Sequence, residues 1–267
     1  MNAVILLYVS CTCVHLIGNG VIYSLAKNRH KGICILLYNM FTITINYHSE
    51  SSELCEIGRK YDTDKSSQRD NVTDSRHCHP YTLFYHKIFK NKRDAPLNIA
   101  ELGILDGGSL RMWQEYFSNA NIYGFEYNND LIHKFKQTFN NDRVTLATID
   151  VTNKDSIVNA CSTLNTLYDI IIEDTTHQFE DQVRVIENIY HYLKPGGILI
   201  IEDIFKSYNQ SDYINRLSSV LKHFQYYYFI ELDHCNKNSM GWNNDKLFIL
   251  VKGGDEPIFT NANKISN

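Results

Sequence analysis

The chain has no cysteine pair at the spacing of a metal or redox motif. Its seven cysteines are odd in number and scattered, without a C-x-x-C pair, so neither a disulfide framework nor a zinc site is indicated, and a reducing compartment is the simpler interpretation. A strong charge of one sign is also missing, because the net charge of -4 is spread over both signs without long runs. A nucleic-acid-binding protein needs a basic face or stripe, and this sequence predicts none.

The first 26 residues lack Lys, Arg, Asp and Glu altogether. Their strongly apolar stretch 3–17 is followed by three basic residues, a pattern typical of a signal-anchor with its basic flank in the cytoplasm. His15 and Asn19 interrupt the run, and a cleavable signal would carry its positive charge before the apolar stretch. Three interpretations stay open: a dispensable or wrongly started extension, a membrane anchor limited to residues 1–26, or a folded part of the domain. A cytoplasmic location is favoured over membrane anchoring.

A length of 267 residues with 43% apolar composition fits one α/β domain with an N-terminal extension. From residue 97 onward, short apolar runs alternate with amphipathic stretches, which predicts a mostly parallel sheet with helices on both faces. The predicted strands are 97–102, 121–126, 144–150, 168–173, 197–202, 226–232 and 246–251, with helices at 108–117 and 179–193 among others. The predicted units are an extension (1–50), a cap or lid (51–96), the α/β domain (97–255) and a tail (256–267).

Two acidic motifs follow two of the predicted strands. Asp174-x-x-His177 comes after LYDIIIE, and Glu202-Asp203 comes after GGILII. Parallel strands end at the same edge of a sheet, so three carboxylates and one imidazole should share a cleft. Each close pair of carboxylates repels by roughly 4 kcal/mol at an effective dielectric near 20, unless a cation or a shared proton relieves it. The sequence therefore predicts a divalent metal site with His177 as the base.

A glycine-containing turn follows the first predicted strand. It reads Glu101-Leu102-Gly103 and continues to Gly107-Gly108-Ser109, so it lacks the G-x-G-x-x-G of a dinucleotide fold. The acidic residue before the first glycine suits a cationic ligand without phosphate, such as S-adenosylmethionine. An ordinary glycine-containing strand–helix turn is the alternative.

Further acids end the next two predicted strands. Glu126 lies where open α/β sheets usually bind ribose hydroxyls, and Asp150 is placed to accept from an adenine amino group. Each of them could equally be a solvated strand-end acid or a helix cap. Glu126 alone does not separate S-adenosylmethionine from a nicotinamide cofactor.

From residue 56 to residue 251 the chain resembles the class I S-adenosylmethionine-dependent methyltransferases. Within them it is similar to the metal-dependent sugar O-methyltransferases of macrolide and rhamnose-modifying pathways. The motifs that carry the resemblance are Gly58-Arg59-Lys60-Tyr61-Asp62-Thr63-Asp64-Lys65, His79-Pro80-Tyr81-Thr82-x-x-Tyr85, Glu101-Leu102-Gly103 with Gly107-Gly108-Ser109-Leu110-Arg111-Met112-Trp113, Glu173-Asp174-x-x-His177, and Leu193-Lys194-Pro195-Gly196-Gly197 through Glu202-Asp203. The fold it implies is a Rossmann-like methyltransferase sheet of seven strands with an N-terminal helical cap.

The resemblance also implies a site. Magnesium would be held by Asp174, Glu202 and Asp203, and His177 would be the general base. S-adenosylmethionine would lie along Thr63, Glu101, Gly103, Gly107, Ser109, Glu126, Asp150 and Asp174. The acceptor would be a deoxysugar or amino sugar of the rhamnose type, free or as a nucleotide-sugar or glycoconjugate, with the 2-hydroxyl favoured. A homo-oligomer is compatible with this reading.

Two departures and three alternatives accompany the resemblance. Glu126 stands where such folds often have Asp, and Glu173-Asp174-Thr175-Thr176 stands where the family more often has Asp-Asp followed by small residues. The resemblance does not cover residues 1–50. A nicotinamide oxidoreductase could use the same sheet but lacks its glycine motif, and a non-heme iron oxygenase would need a two-His triad that the sequence does not display. A non-catalytic methyltransferase-like binding module would be expected to have lost its metal ligands, which this sequence retains.

Overall fold

The computed structural model describes residues 13–18, 21–26, 40–45, 50–66, 78–234 and 243–253. The described strands are β1 (Cys13–Gly18), β2 (Val21–Ala26), β3 (Met40–Ile45), β4 (Asn98–Leu102), β5 (Asn121–Glu126), β6 (Val144–Thr148), β7 (Tyr168–Glu173), β8 (Leu193–Ile201), β9 (Phe224–His234) and β10 (Lys246–Lys252). The described α-helices are α1 (Glu53–Lys60), α2 (Tyr81–Phe89), α3 (Gly108–Tyr116), α4 (Asn129–Thr138), α5 (Lys154–Leu164), α6 (Phe179–Ile189), α7 (Gln210–Arg216) and α8 (Ser218–Leu221).

The central sheet has the strand order β3-β9-β10-β8-β7-β4-β5-β6. Strands β4 to β8 are mutually parallel, and β10 runs antiparallel to both β8 and β9. This confirms the predicted fold class, an α/β sheet that is mostly parallel. The order reverses between β4 and β7, so the carboxyl ends of these two strands flank the point where ligands of open α/β sheets bind.

Among the described residues, the sheet contains eight strands where the sequence predicts seven. The additional strand is β3, which pairs in parallel with β9 from Met40 opposite Phe229 to Ile45 opposite His234. The sequence predicts these residues as part of the extension (1–50), outside the α/β domain (97–255). Pairing covers an edge of β9 that would otherwise present unpaired N–H and C=O groups. At least this part of residues 1–50 therefore belongs to the folded domain.

The apolar segment whose pattern suggests a membrane anchor contains two antiparallel strands. Strand β1 pairs with β2 from Cys13 opposite Ala26 to Gly18 opposite Val21. Within the part of the chain that the structure describes, no helix is both long and apolar enough to cross a membrane. Residues 1–12, 27–39 and 46–49, and the predicted tail, lie outside the described residues.

The central strands are apolar because helices cover the sheet on both faces. Ile170 and Ile172 of β7 face one core, while Ile171 between them faces the other. Helices α1, α2 and α3 fill the first core, and α5, α6 and α7 fill the second. The predicted cap is therefore part of the layer over one face of the sheet. It also reaches the strand ends through the residues before and at the start of α2.

The largest difference between predicted and observed boundaries lies at the start of β8. The sequence placed the end of a helix at Leu193 and the following strand at Gly197, but α6 ends at Ile189, a 3₁₀ turn covers Tyr190–Tyr192, and β8 already begins at Leu193. The register between β7 and β8 shifts over this stretch, and Gly196 adopts a positive φ of 77°. The Pro-Gly-Gly sequence thus makes an irregular strand entry where a turn was expected.

Candidate functional site

Three neighbouring strands bring the acidic motifs together at one edge of the sheet. The backbone N–H of Asp174 donates to the carbonyl of Leu102 at 2.8 Å, just beyond the ends of β7 and β4. The N–H of Glu202 donates in the same way to the carbonyl of Glu173 at 2.9 Å, which ties the end of β8 to that of β7. The predicted convergence of the two motifs is therefore observed.

Asp174, His177 and Asp203 form the less buried part of the site, called the open cluster here: Asp174 and His177 are partly exposed, and Asp203 is 6% exposed. One potential ligand atom from each of them lies within 4.8 Å of the others. His177 Nε2 is 3.7 Å from Asp203 Oδ2, and His177 Nδ1 is 3.9 Å from Asp174 Oδ1. The Nδ1 atom is buried and has no hydrogen-bond partner among the described residues. Two carboxylates and an imidazole with an unsatisfied nitrogen suit a divalent cation, a proton transfer, or both.

Backbone strain marks the same two loops. His177 and Asp203 have positive φ angles of 58° and 55°, a left-handed conformation that costs a non-glycine residue on the order of 1–2 kcal/mol. Such conformations concentrate at functional sites, where the surrounding structure holds them in place. Here they turn the chain immediately after β7 and β8, so that both side chains return toward the cluster.

Lys65 provides the positive charge inside the site. Its side chain is only 2% exposed, and its Nζ lies 2.5 Å from Asp174 Oδ2 and 3.2 Å from Glu101 Oε1 and contacts Glu202 Oε2. Burial disfavours the charged ammonium, but the three carboxylates outweigh it and hold the pKa of Lys65 well above its usual value. Burial likewise opposes ionisation of Asp174, yet Lys65 and His177 keep its pKa below the ordinary range.

Glu202, a predicted metal ligand, lies behind the open cluster. Its Oε2 accepts from Lys65 and its Oε1 from the hydroxyl of Tyr85, and its backbone carbonyl accepts from Gln182 Nε2 at 3.0 Å. Full burial raises the pKa of Glu202 well above the ordinary range, against the opposing charge of Lys65. Within the described chain, the three-residue cluster that could hold a metal does not include Glu202.

A second histidine supports Asp203 from the other side. His79 Nδ1 is 2.7 Å from Asp245 Oδ1, and His79 Nε2 is 3.6 Å from Asp203 Oδ2. Tyr81 stacks on the His79 ring and donates its hydroxyl to Asp203 Oδ1 at 2.5 Å. Burial opposes the charged imidazole, but the two aspartates outweigh it and raise the pKa of His79 to about 10. Among the described residues, the cluster that could hold a metal contains one histidine, His177, whereas the facial triad of an iron oxygenase needs two.

The predicted cofactor turn between β4 and α3 is built around buried Glu101. Its Oε2 accepts from Trp113 Nε1 at 3.1 Å, its Oε1 faces Lys65, and Ser109 also bonds to it. Burial raises the pKa of Glu101, and Lys65 opposes the shift. Gly107 has a φ of 81° directly before α3. The predicted residues Glu101, Gly107 and Ser109 therefore lie together.

The loop that contains Thr63 packs against the same turn. A Cβ on Gly108 would lie 2.8 Å from the carbonyl of Tyr61 and 3.6 Å from the Cα of Thr63. Gly103 lies even closer to Asp174, because a Cβ on Gly103 would lie 1.8 Å from the carbonyl oxygen of Asp174. The structure thus joins the predicted cofactor turn to the open cluster through the backbone of Gly103 and Asp174, in addition to the Lys65 side chain that pairs with both Glu101 and Asp174.

Glu126 ends β5, whereas Asp150, predicted to end the next strand, lies two residues beyond β6, which ends at Thr148. Glu126 Oε2 accepts from the backbone N–H groups of Ile104 and Leu105 at 3.2 and 3.1 Å, which fixes the cofactor turn. Asp150 Oδ1 accepts from the N–H and hydroxyl of Thr152 at 2.9 and 2.7 Å. Asp150 therefore stabilises its own turn, and no contact described here ties its carboxylate to the cluster. The roles predicted for both acids stay predictions.

Sequence reasoning gave no site role to five residues that the structure places here. They are Lys65, His79, Tyr81, Tyr85 and Asp245. The first four belong to motifs that carry the family resemblance, but the sequence pattern assigned them no role. Polar and aromatic residues recur within these two short motifs, and this recurrence could have indicated a functional site. Asp245 precedes β10, which is antiparallel to β8, so the beginning of β10 meets the carboxyl end of β8. An acid just before an antiparallel strand was the signal for that residue.

The contact between Gly103 and Asp174 leads to a prediction about stability. Gly103 has a φ of 86°, and a Cβ at this position would lie 1.8 Å from the Asp174 carbonyl oxygen. We expect Gly103→Ala to lower the free energy of unfolding by at least about 2 kcal/mol, because the strained backbone and the clash add. Denaturant unfolding measures this. Gly253→Ala is the control, since its Cβ would meet none of the described residues closer than 4.0 Å, and equal stability of the two variants would contradict the prediction.

A family model and several curated proteins match this chain. A family model described as "Methyltransferase domain" matches residues 107–249. A curated relative from Streptomyces olivaceus, 8-demethyl-8-alpha-L-rhamnosyl tetracenomycin-C 2'-O-methyltransferase, is 28% identical over 137 residues, which are 49% of this chain and 34% of the relative. Demethylmacrocin O-methyltransferase from Streptomyces fradiae is 26% identical over 174 residues, which are 62% of this chain and 40% of the relative. The chain thus spans well under half the length of these relatives.

A solved structure shows the same fold. MycE methyltransferase from the mycinamycin biosynthetic pathway, in complex with Mg and SAH, superposes with a TM-score of 0.57 at 18% sequence identity. The match covers 77% of this chain and 56% of MycE. At this identity the likeness establishes the architecture of the domain.

Proposed function

This chain belongs to the methyltransferase domain family, and from that premise we propose that it transfers a methyl group from S-adenosylmethionine to a sugar hydroxyl with the help of Mg²⁺. One observation carries the proposal. The backbone of Gly103, in the glycine turn after β4, packs directly against Asp174, which is part of the Asp174–His177–Asp203 cluster. A cofactor on that turn would therefore lie next to groups that can hold and deprotonate an acceptor.

The residues at the open cluster fit a hard divalent ion. Asp174 and Asp203 would hold Mg²⁺ through carboxylate oxygens, the ligands this ion prefers, and Glu202 is the further ligand implied by resemblance. When bound, the ion would fix vicinal hydroxyls and make the reacting one more acidic. Asp203 Oδ1 is already fixed by Tyr81, and Asp203 Oδ2 faces His177. One oxygen of this carboxylate is thus positioned and the other is directed toward the cluster.

The turn after β4 fits a cationic nucleoside cofactor. S-adenosylmethionine would supply the electrophilic methyl group. Glu101 and Ser109 provide polar groups at the turn, Gly103 and Gly107 allow close approach of the backbone, and Thr63 packs beside them. Glu126 at the end of β5 and Asp150 two residues beyond β6 are proposed to bind the ribose and the adenine.

His177 is the proposed general base. It lies between Asp174 and Asp203, is about 30% exposed, and presents a buried Nδ1 without a hydrogen-bond partner among the described residues. The two carboxylates stabilise the imidazolium that forms when His177 takes a proton from the hydroxyl. The partial exposure of the ring lets the proton pass on to solvent after transfer.

A sugar acceptor is favoured by the relatives and by aromatic side chains near the cluster. The names of the curated relatives include a rhamnosyl 2'-O-methyltransferase. Phe179 and Phe205 each follow a cluster residue by two positions, and Tyr208 contacts both rings at centroid distances of 6.4 and 5.4 Å. All three are partly exposed. Aromatic surfaces beside carboxylates suit a ligand with both apolar faces and hydroxyls, so we propose a deoxysugar or amino sugar on a nucleotide or glycoconjugate, methylated at the 2-hydroxyl.

Calorimetry tests the cofactor part of the proposal. We expect S-adenosylmethionine to bind and NAD to give no heat of binding. Glu126→Gln should weaken S-adenosylmethionine at least about 10-fold, because Glu126 both orders the cofactor turn and offers its charge to hydroxyl donors. Asp130→Asn, an exposed acid in the first turn of α4, is the matched control. Binding of NAD alone would refute the cofactor assignment.

Acceptor screening tests the catalytic part. Labelled methyl from S-adenosylmethionine should pass to a sugar nucleotide or a glycosylated acceptor only when Mg²⁺ is present. A non-catalytic binding module would bind the cofactor and transfer nothing to any acceptor. Undiminished transfer in EDTA would contradict the metal role.

A further inference from the structure

Lys65 donates two hydrogen bonds to the acidic site, one to Asp174 Oδ2 and one to Glu202 Oε2. Its Nζ also forms an ion pair with Glu101 Oε1 at 3.2 Å, so three carboxylates surround one ammonium. Few lysines are buried to this degree, and burial without these partners would be very costly. The ammonium of Lys65 therefore offsets part of the negative charge of these carboxylates.

The oxygens that Lys65 occupies are among those a divalent ion would need. Asp174 gives Oδ2 to Lys65 and turns only Oδ1 toward His177. Glu202 has both oxygens engaged, one by Lys65 and the other by Tyr85. An ion that recruited Glu202, or a second oxygen of Asp174, would have to displace the ammonium. Two cations close to the same carboxylates also repel each other.

We propose that Lys65 is a resident counterion that competes with the divalent metal for Asp174 and Glu202, and that metal loading releases it from these carboxylates. The inference rests on the proposed metal-dependent function and adds a control on metal affinity. It accounts for how the carboxylates of Glu101, Asp174 and Glu202 can lie around one point. It also explains why Glu202, an expected ligand, lies behind the open cluster, where Lys65 and Tyr85 engage both of its oxygens.

The loop that contains Lys65 is hydrogen-bonded to α1, to α2 and to His79, so displacement of the ammonium by a metal ion should also affect this loop. The carbonyl of Lys65 accepts from the N–H of Thr82 in α2 at 3.1 Å, and the carbonyl of Asp64 accepts from the N–H of His79 at 2.6 Å. The hydroxyl of Ser66 donates to the carbonyl of Cys55 in α1. These bonds hold the loop to the helices, whereas the Lys65 ammonium holds it to the acids at the strand ends. Release of the ammonium should therefore loosen the attachment of the loop to the strand ends.

Mn²⁺ titration of Lys65→Met and Lys65→Gln tests the proposal. Mn²⁺ is the probe because its binding is followed directly by electron paramagnetic resonance as well as by calorimetry. Removal of the competing charge should tighten Mn²⁺ binding at least about 10-fold in both variants. Lys60→Met is the matched control, because Lys60 lies in the same segment but pairs with Glu115 at the surface, and its Mn²⁺ affinity should equal that of the wild type.

The outcomes separate this inference from the proposed function. Wild-type protein that binds no Mn²⁺ would refute both the metal site and the competition. Wild-type binding with equal or weaker affinity in the folded Lys65 variants would refute the competition alone. Should both variants fail to fold, hydrogen exchange of the wild type decides: amides of residues 61–66 should exchange faster once Mn²⁺ is added, and unchanged or slower exchange would overturn the proposal.

Discussion

Asp174→Asn should reduce methyl transfer on the order of 10³-fold, the scale on which a single electrostatic group contributes to catalysis. The substitution keeps the size of the side chain and removes its charge. Asp174 is the residue that faces His177 through one oxygen and Lys65 through the other, and its backbone supports Gly103. The loss should therefore affect metal binding and the orientation of His177 together. Initial rates across a range of Mg²⁺ concentrations measure it.

Asp169→Asn is the matched control for this experiment. Asp169 lies at the opposite end of the same strand β7, where it pairs with Lys194 at 2.7 Å and accepts from the N–H of Asn98. Asparagine retains the accepting oxygen, so its transfer rate should stay close to that of the wild type. If the Asp174→Asn enzyme kept more than a tenth of wild-type activity, the proposed catalytic role of Asp174 would be contradicted.

His177→Ala should lower kcat by about 10²- to 10⁴-fold, the usual contribution of a positioned general base. The binding of S-adenosylmethionine should change little, because the turn that contains Glu101 and Gly107 has no described contact with the imidazole. The variant also relieves the unsatisfied buried Nδ1. The decisive measurement is therefore the split between a large loss in kcat and an unchanged cofactor affinity.

Two further observations sharpen the assignment of His177. His133→Ala, at an exposed position of α4, should leave kcat unaltered. Added imidazole should restore part of the activity of His177→Ala, since a free base can enter the space of the partly exposed ring. A variant that loses cofactor affinity in proportion to kcat, and that imidazole does not rescue, would show that His177 only holds the loop.

Strands buried on both faces could be predicted closely from the sequence. β5 and β7 begin and end at the predicted residues, Asn121–Glu126 and Tyr168–Glu173, because short apolar runs bounded by polar residues mark such strands. β3 was not predicted as a strand of the sheet, since an edge strand is defined by its partner, here β9. The start of β8 was also misplaced, because Pro195 and Gly196 resemble a turn wherever they occur, and only the pairing with β7 places them in a strand.

For the site, the sequence by itself determined that acids follow successive parallel strands, since chain direction alone brings the ends of β4, β7 and β8 to one edge. Only the tertiary structure decided which acids remain open to a ligand. Lys65 meets Asp174 across 109 residues and Glu202 across 137, and no local pattern encodes contacts at that separation. The physical reason is that a carboxylate's availability depends on which charges and hydroxyls surround it. That environment separates Asp174 and Asp203, which face His177, from Glu202, which faces Lys65 and Tyr85.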